Sequence, residues 1–224
     1  MTIAQRPLTG RRELLRIFAE DRLVCVVRTP TAELALRAGR AAAAGGVRMI
    51  EITLTVPEAY AAIETLAMDE DFASRGAIVG AGTVLSGSQA EDALSAGARF
   101  LVGPTLVPEM IVAAHARDAL AMPGTLTPTE MLAAANLGAD FIKIYPIGPV
   151  GGPEYVRNVR RALPHLPLVA TGNIAYDDIP AYLAAGVVGF GIGEPLVPAE
   201  LLESGDHDAA VRNVRRFLGA TRAG

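Results

Sequence analysis

Tryptophan is absent from the 224-residue sequence, and there is a single cysteine, Cys25. Aromatic residues amount to only 5%. So few rings argue against a base-stacking surface for nucleic acid. A net charge of -4, with arginines scattered along the chain, argues the same way. One cysteine rules out an internal disulfide and fits a reducing cytosol, so a cytoplasmic protein is expected. No apolar run reaches the ~18 residues of a spanning helix, so no membrane partner is expected. Residues 1–8 lack the hydrophobic stretch of a signal peptide and read as a loose lead-in. The histidines, His115, His165 and His207, lie far apart without metal-ligand spacing. No metal and no cofactor are expected.

Lysine is the most telling shortage. Of 20 basic residues, only Lys143 is a lysine. It stands in Phe141-Ile142-Lys143-Ile144-Tyr145-Pro146, a short apolar run of strand character. Arginine stays protonated and cannot act as an amine nucleophile, whereas a desolvated lysine can. The plainer alternative is a lysine snorkelling from a strand end. Against it stands the rarity of buried lysines without a partner or a task.

What the chain does have is alternation. Hydrophobic residues make up 51% of it, much of that alanine and valine, and mean hydropathy is +0.33. Residues 9–20 read as a helix that Thr9 would cap. Leu23-Val24-Cys25-Val26-Val27-Arg28 follows as a strand. Thr31 opens an Ala-rich helix closed by Gly45-Gly46, and a second strand ends in Glu51-Ile52-Thr53. Pro57 is expected at the first position of the next helix. The unit then repeats: glycine closes a helix, a β-rich run follows, and a Gly, Pro or Thr-containing loop ends the strand. Eight strands separated by helix-length segments imply a parallel sheet. Strands apolar throughout must be covered on both faces, and eight of them close into a (β/α)8 TIM barrel with an N-terminal helix. A doubly wound open sheet is the alternative α/β fold. No linker or compositional break divides the chain, so residues 1–224 are expected to form one barrel domain.

In such a barrel the active site lies at the C-terminal ends of the strands. That rule selects Arg28 after the first strand, Glu51 and Thr53 on the second, Thr83 after the third and Pro104 after the fourth. The sixth supplies Lys143 and Tyr145, the seventh Thr171, and the eighth Gly191 and Gly193. A lysine, a carboxylic acid, an arginine and hydroxyls at one mouth suit Schiff-base chemistry on a ketone. The acid would move protons, and the arginine fork would hold a carboxylate. Taken singly, Glu51 could pair an arginine at the rim, Thr83 could cap a helix, and Arg28 could be a solvated strand end. Together, beside the only lysine, these readings weaken. Ser86 and Ser88 lack a nearby His-Asp arrangement, Cys25 reads as core, and Asp206-His207-Asp208 reads as a solvated turn.

The chain resembles the 2-keto-3-deoxy-6-phosphogluconate (KDPG) and 4-hydroxy-2-oxoglutarate (KHG) aldolases. The resemblance covers about residues 21–217. It rests on Gly45-Gly46-Val47-Arg48-Met49-Ile50-Glu51-Ile52-Thr53, on Val79-Gly80-Ala81-Gly82-Thr83-Val84, and on Pro123-Gly124 with Thr127-Pro128-Thr129-Glu130. Lys143 within Ile-Lys-Ile-Tyr-Pro, and Thr171-Gly172, complete it. It implies a class I aldolase, a carbon–carbon lyase that cleaves a 2-keto-4-hydroxy acid to pyruvate and an aldehyde. It implies Lys143 as the Schiff-base residue, Glu51 as the proton shuttle, and Thr83 with an arginine as holders of the pyruvate carboxylate. Some members carry that arginine a few residues after the glutamate; Thr55 occupies the place here, and Arg28 is the expected clamp. A homotrimer is also implied.

The resemblance further implies a phosphate site after the seventh and eighth strands, and there the chain departs. Thr171-Gly172-Asn173 stands for Thr-Gly-Gly, and Gly191-Ile192-Gly193-Glu194-Pro195 lacks the family's serine. At about 4 Å, two negative unit charges repel by roughly 1 kcal/mol in water and about 4 kcal/mol at an effective dielectric of 20. Glu194 either faces the substrate and opposes a phosphate, or points to solvent and favours its helix dipole. The first reading leads to the expectation of an unphosphorylated substrate whose hydroxyls meet Asn173 and Glu194. Two rival functions remain at this stage: a phosphate-binding barrel isomerase or synthase, and a non-catalytic barrel that binds a keto acid.

Overall fold

The computed structural model describes residues 10–223. The expected Thr9 cap and the lead-in at residues 1–8 lie outside them. Helix α1 (Arg11–Asp21) precedes nine parallel strands: β1 (Leu23–Val27), β2 (Met49–Thr53), β3 (Ile78–Gly82), β4 (Phe100–Val102), β5 (Leu120–Met122), β6 (Gly124–Thr125), β7 (Ile142–Ile144), β8 (Leu168–Gly172) and β9 (Gly189–Ile192). Between and after them run α2 (Ala32–Ala44), α3 (Ala59–Met68), α4 (Glu70–Ser74), α5 (Gly87–Ser95), α6 (Pro108–Ala116), α7 (Pro128–Asn136), α8 (Gly152–Ala162), α9 (Ile179–Ala185), α10 (Ala199–Ser204) and α11 (His207–Arg222).

The strands pair in the order β5-β4-β3-β2-β1-β9-β8-β7-β6. β5 and β6 are two pieces of one path, interrupted at Pro123, which has no N–H to give the ladder. The Pro123 carbonyl still accepts from Lys143 N at 3.0 Å, and Gly103 N donates to Met122 O at 3.1 Å. The ends of the sheet therefore meet through one short segment, and the sheet is a nearly closed barrel. The fifth expected strand is the split one, so the expected sixth is β7.

Period-two alternation decides what faces the barrel axis. Leu23, Cys25, Ile50, Ile52, Ile142 and Ile144 pack outward among the helices. Val24, Met49, Ile78, Phe100, Met122, Phe141 and Val169 turn inward and meet Leu14, Ile17 and Phe18 of α1. The Phe18 and Phe141 rings lie 4.2 Å apart. α1 thus plugs the N-terminal end with apolar side chains. Two residues further along the same inward faces come Glu51, Lys143 and Thr171. The inner layer changes from apolar to polar within one pleat, and the polar layer is the site.

Local start signals hold in most places. Thr31 accepts from Leu34 N and caps α2, and Thr127 with Glu130 forms a complete capping box on α7. Asp206 accepts from Ala209 N at 3.0 Å and caps α11. It is therefore a helix cap rather than a free turn residue. Pro57 differs from expectation: α3 starts at Ala59, with Glu58 as N-cap at φ 55. Leu54 N bonds Gly82 O and Val56 N bonds Thr53 O, so Pro57 sits in a turn held to the sheet.

Candidate active site

The C-terminal strand ends surround a cavity of about 410 Å³. Its floor and one wall carry Lys143, Glu51 and Thr171. Arg28, Thr83 and Pro104 line one side, with Tyr145 beside Lys143. Gly172, Asn173, Gly193 and Glu194 line the other. Every site residue expected from the sequence is on this wall. Thr53, which strand position alone also selects, is not: it is fully buried and donates to Val27 O at 3.0 Å.

Lys143 is 5% exposed and Glu51 is 2% exposed. Neither forms a hydrogen bond or ion pair through its side chain among the described residues. Burial pushes the Lys143 ammonium below the ordinary lysine range; the Glu51 carboxylate opposes that and Arg28 adds to it. Burial likewise raises the Glu51 carboxyl, against the pull of Lys143 and Arg28. The result is an amine and a carboxylic acid drawn toward each other's range, which suits nucleophilic attack and proton transfer. Lys143 Nζ lies 5.0 Å from the Tyr145 ring centre.

Room for Glu51 comes from β3. Glu51 pairs in register with Gly80, and Gly82 follows two residues on, on the same face. A Cβ on Gly80 would meet the Phe100 ring at 2.5 Å. Glycines in the middle of a strand are costly, and here both make way for neighbouring side chains.

Arg28 is held at both ends of its fork. Nη1 donates to Thr55 Oγ1 at 2.6 Å and Nη2 to Thr83 Oγ1 at 3.1 Å. Thr55 Oγ1 lies 3.0 Å from Thr53 Oγ1, which in turn donates to Val27 O. A line of hydroxyls thus fixes the guanidinium from behind. Thr83 adopts φ 59, a left-handed conformation that a β-branched residue seldom takes. It does not cap α5; Ser86 does, accepting from Gln89 N at 3.2 Å. Thr83 is therefore held in an unfavourable conformation with its hydroxyl turned to Arg28.

On the opposite side, Thr171 Oγ1 is buried without a hydrogen-bond partner among the described residues. Thr171 pairs in register with Gly191, and a Cβ there would lie 2.8 Å from that oxygen. Asn173 and Glu194 are exposed at the rim. The geometry brings a buried amine, a buried carboxyl, a fixed guanidinium and a free hydroxyl into one cavity of small-molecule size.

The family model for aldolases, described as KDPG and KHG aldolase, matches residues 15–213.

The chain belongs to the KDPG and KHG aldolase family.

Among curated aldolases, it is 38% identical over 152 residues to a protein of Rhizobium meliloti named probable 2-dehydro-3-deoxy-6-phosphogalactonate aldolase, covering 67% of this chain and 70% of that one. It is 32% identical over 207 residues to the 2-dehydro-3-deoxy-phosphogluconate aldolase of Dickeya dadantii, covering 92% and 95%. The structure matches KDPG aldolase from Legionella pneumophila, captured with pyruvate as a covalent carbinolamine, at a TM-score of 0.80 and 27% identity, over 91% of this chain and 97% of that one. The two chains share the barrel over nearly their whole length.

Sequence reasoning missed part of the wall. Thr55 entered only as the place of a missing arginine, yet it touches Arg28. Val197, Ala199 and Leu202 complete the cavity from the segment after β9 and from α10. No periodic pattern marks that segment, so only the closure of the barrel brings it over the mouth. Among the described residues, no group of three or more His, Cys, Asp or Glu could hold a metal ion. His115 instead pairs with buried Asp140 at 3.1 Å. No helix among the described residues is long and apolar enough to cross a membrane.

Proposed function

We propose that the protein is a class I aldolase that cleaves a 2-keto-4-hydroxy acid to pyruvate and an aldehyde, with Lys143 as its nucleophile. The observation that carries this is the pair Lys143 and Glu51, both buried in the inner layer of the barrel at one cavity, with no side-chain hydrogen bond or ion pair among the described residues.

Lys143 Nζ adds to the C2 carbonyl carbon of the substrate. Glu51, whose hold on its proton burial strengthens, gives that proton to the carbinolamine oxygen, which also receives one from Nζ, leaves as water and yields the iminium. Glu51 is now a carboxylate, and it takes the proton of the C4 hydroxyl. The C3–C4 electron pair moves into the iminium, the aldehyde departs, and an enamine of pyruvate remains. Glu51 returns its proton to C3, and water hydrolyses the resulting iminium to pyruvate and free neutral Lys143, the released proton going back to Glu51. Arg28, held by Thr55 and Thr83, supports the substrate carboxylate through its fork. Thr171 Oγ1, with no partner among the described residues, is available to a substrate oxygen.

Membership of the family supports a homotrimer as the assembly. The lone, buried Cys25 supports a cytoplasmic setting. The single continuous sheet supports one barrel domain. Sedimentation of the full chain tests the assembly.

The chemical test is incubation with pyruvate and borohydride, followed by peptide mass spectrometry. A reduced adduct on Lys143 is the expected result. Its absence from an active preparation would remove Lys143 from the nucleophile's role.

A further inference from the structure

We propose that the distal half of the cavity selects an uncharged, hydroxyl-bearing aldehyde portion and disfavours one that ends in a phosphate. This rests on the aldolase reading and specifies the substrate class of the same site.

The first ground is the distribution of charge. Of the residues that line the cavity, Arg28, Lys143, Glu51 and Glu194 are the charged ones. Arg28 is bound to Thr55 and Thr83 on the β2–β3 side, where the keto acid's carboxylate belongs. Lys143 must be a neutral amine to react. The opposite rim then holds one charge, that of Glu194, and it is negative. A substrate with a carboxylate at one end and a phosphate at the other would meet one guanidinium and one carboxylate. Such a substrate is named for relatives in the family.

The second ground is the backbone. A phosphate without a cation needs converging amide donors. Here three of the loop amides are committed elsewhere, which leaves those of Asn173, Gly193 and Glu194, the last beside its own carboxylate. Ile174 N donates to Gly172 O at 3.0 Å, and Leu196 N and Val197 N both turn back to Gly193 O, at 2.9 and 3.3 Å. Pro195 has no N–H to offer. Neighbouring arginines do not fill the gap. Arg37 and Arg40 face a separate smaller cavity beyond Leu202. Arg37 donates to Leu202 O, and Arg40 pairs with Asp69 at 2.8 Å.

The third ground is what the rim does offer. β8 and β9 end as a pair, Gly172 opposite Ile192, so Asn173 and Glu194 leave the sheet on adjacent loops. Neither side chain has a partner among the described residues. A carboxylate, with an amide that both donates and accepts, matches hydroxyls, which need acceptors and donors alike. A phosphate presents acceptors alone.

The test uses the full-length protein in the synthetic direction. Pyruvate is offered with glyceraldehyde and, separately, with glyceraldehyde 3-phosphate, beside the pyruvate–borohydride trap. We expect the Lys143 adduct and a kcat/KM for glyceraldehyde about tenfold or more above that for its phosphate. Glu194→Ser should move the ratio toward the phosphate by about tenfold. A wild-type preference for the phosphate overturns the proposal, as does addition to neither aldehyde. In both cases an intact adduct leaves the aldolase reading standing, whereas loss of the adduct overturns both. A ratio unmoved by Glu194→Ser, with Asn173→Gly equally silent, overturns the assignment to this rim.

Discussion

A methyl group on Gly82 would sit 1.7 Å from Oε1 of Glu51 and 2.3 Å from its Cδ. The carboxyl that faces Lys143 therefore occupies the space of a missing side chain on the next strand. Its position depends on β3 as much as on β2.

Gly82→Ala should accordingly misplace Glu51. Alanine is acceptable to the strand backbone, since Gly82 does not have a positive φ. The protein should still unfold cooperatively on heating. Its kcat should fall about 100-fold, the size of loss that a displaced catalytic group of about 1 Å brings. Measured kcat beside a thermal melt checks this. A variant with wild-type kcat would show that Glu51 has another rotamer that works equally well.

Much of this site was legible in the chain because a barrel turns strand ends into neighbours. Lys143, Glu51, Arg28 and Thr171 lie on separate strands, and each follows from its place at the end of an apolar run. The inward parity of Met49 and Glu51, or of Phe141 and Lys143, comes from simple alternation. Other features depend on contacts that no single segment encodes. The split at Pro123 is set by what β4 and β7 require on either side. Thr55 bonds Arg28 only because the turn after β2 is tied to Gly82. The start of α3 moved past Pro57 for the same reason: tertiary hydrogen bonds outweighed a local helix signal. Val197 and Leu202 reach the cavity from a segment whose sequence reads simply as apolar.

Thr55→Val should separate the support of Arg28 from its charge. Valine keeps the shape and removes the 2.6 Å bond to Nη1. The contact is a hydrogen bond to a charged donor, worth about 1.5–3 kcal/mol when intact. Its exposure places the loss toward the low end. The expected result is a KM for pyruvate in the synthetic direction raised about tenfold, with kcat changed much less. Thr55→Ser should restore most of it. Equal losses in kcat and kcat/KM would instead place Thr55 in the chemical steps.

Lys143→Met should trade activity for stability. The buried ammonium has no ion pair among the described residues, and removing such a charge for an apolar chain of similar length is often neutral or stabilising. The adduct with pyruvate should vanish, while the urea midpoint stays level or rises by the equivalent of about 1 kcal/mol. A clear fall in the midpoint would mean that the ammonium is stabilised where it sits and that its burial is structural.

The dependence of adduct formation on pH should distinguish the two neighbours of Lys143 by sign. Only the neutral amine adds to a ketone, so the rate falls as pH drops through the Lys143 pKa. Burial already lies behind the lowered position of that limb, with Glu51 raising it and Arg28 lowering it. Removing the negative charge in Glu51→Gln should move the acid limb to lower pH. Removing the positive charge in Arg28→Gln should move it to higher pH, with pyruvate saturating to offset weaker binding. Both variants are slower, so the quantity to compare is the position of the limb and not its height. The Glu51 shift should also shrink at low pH, because burial raises the Glu51 pKa and the wild-type carboxyl is then itself neutral. Trapping rates measured across the pH range in the three proteins decide the matter. Shifts in the same direction would mean that substitution changed the burial of Lys143 and not its electrostatic surroundings.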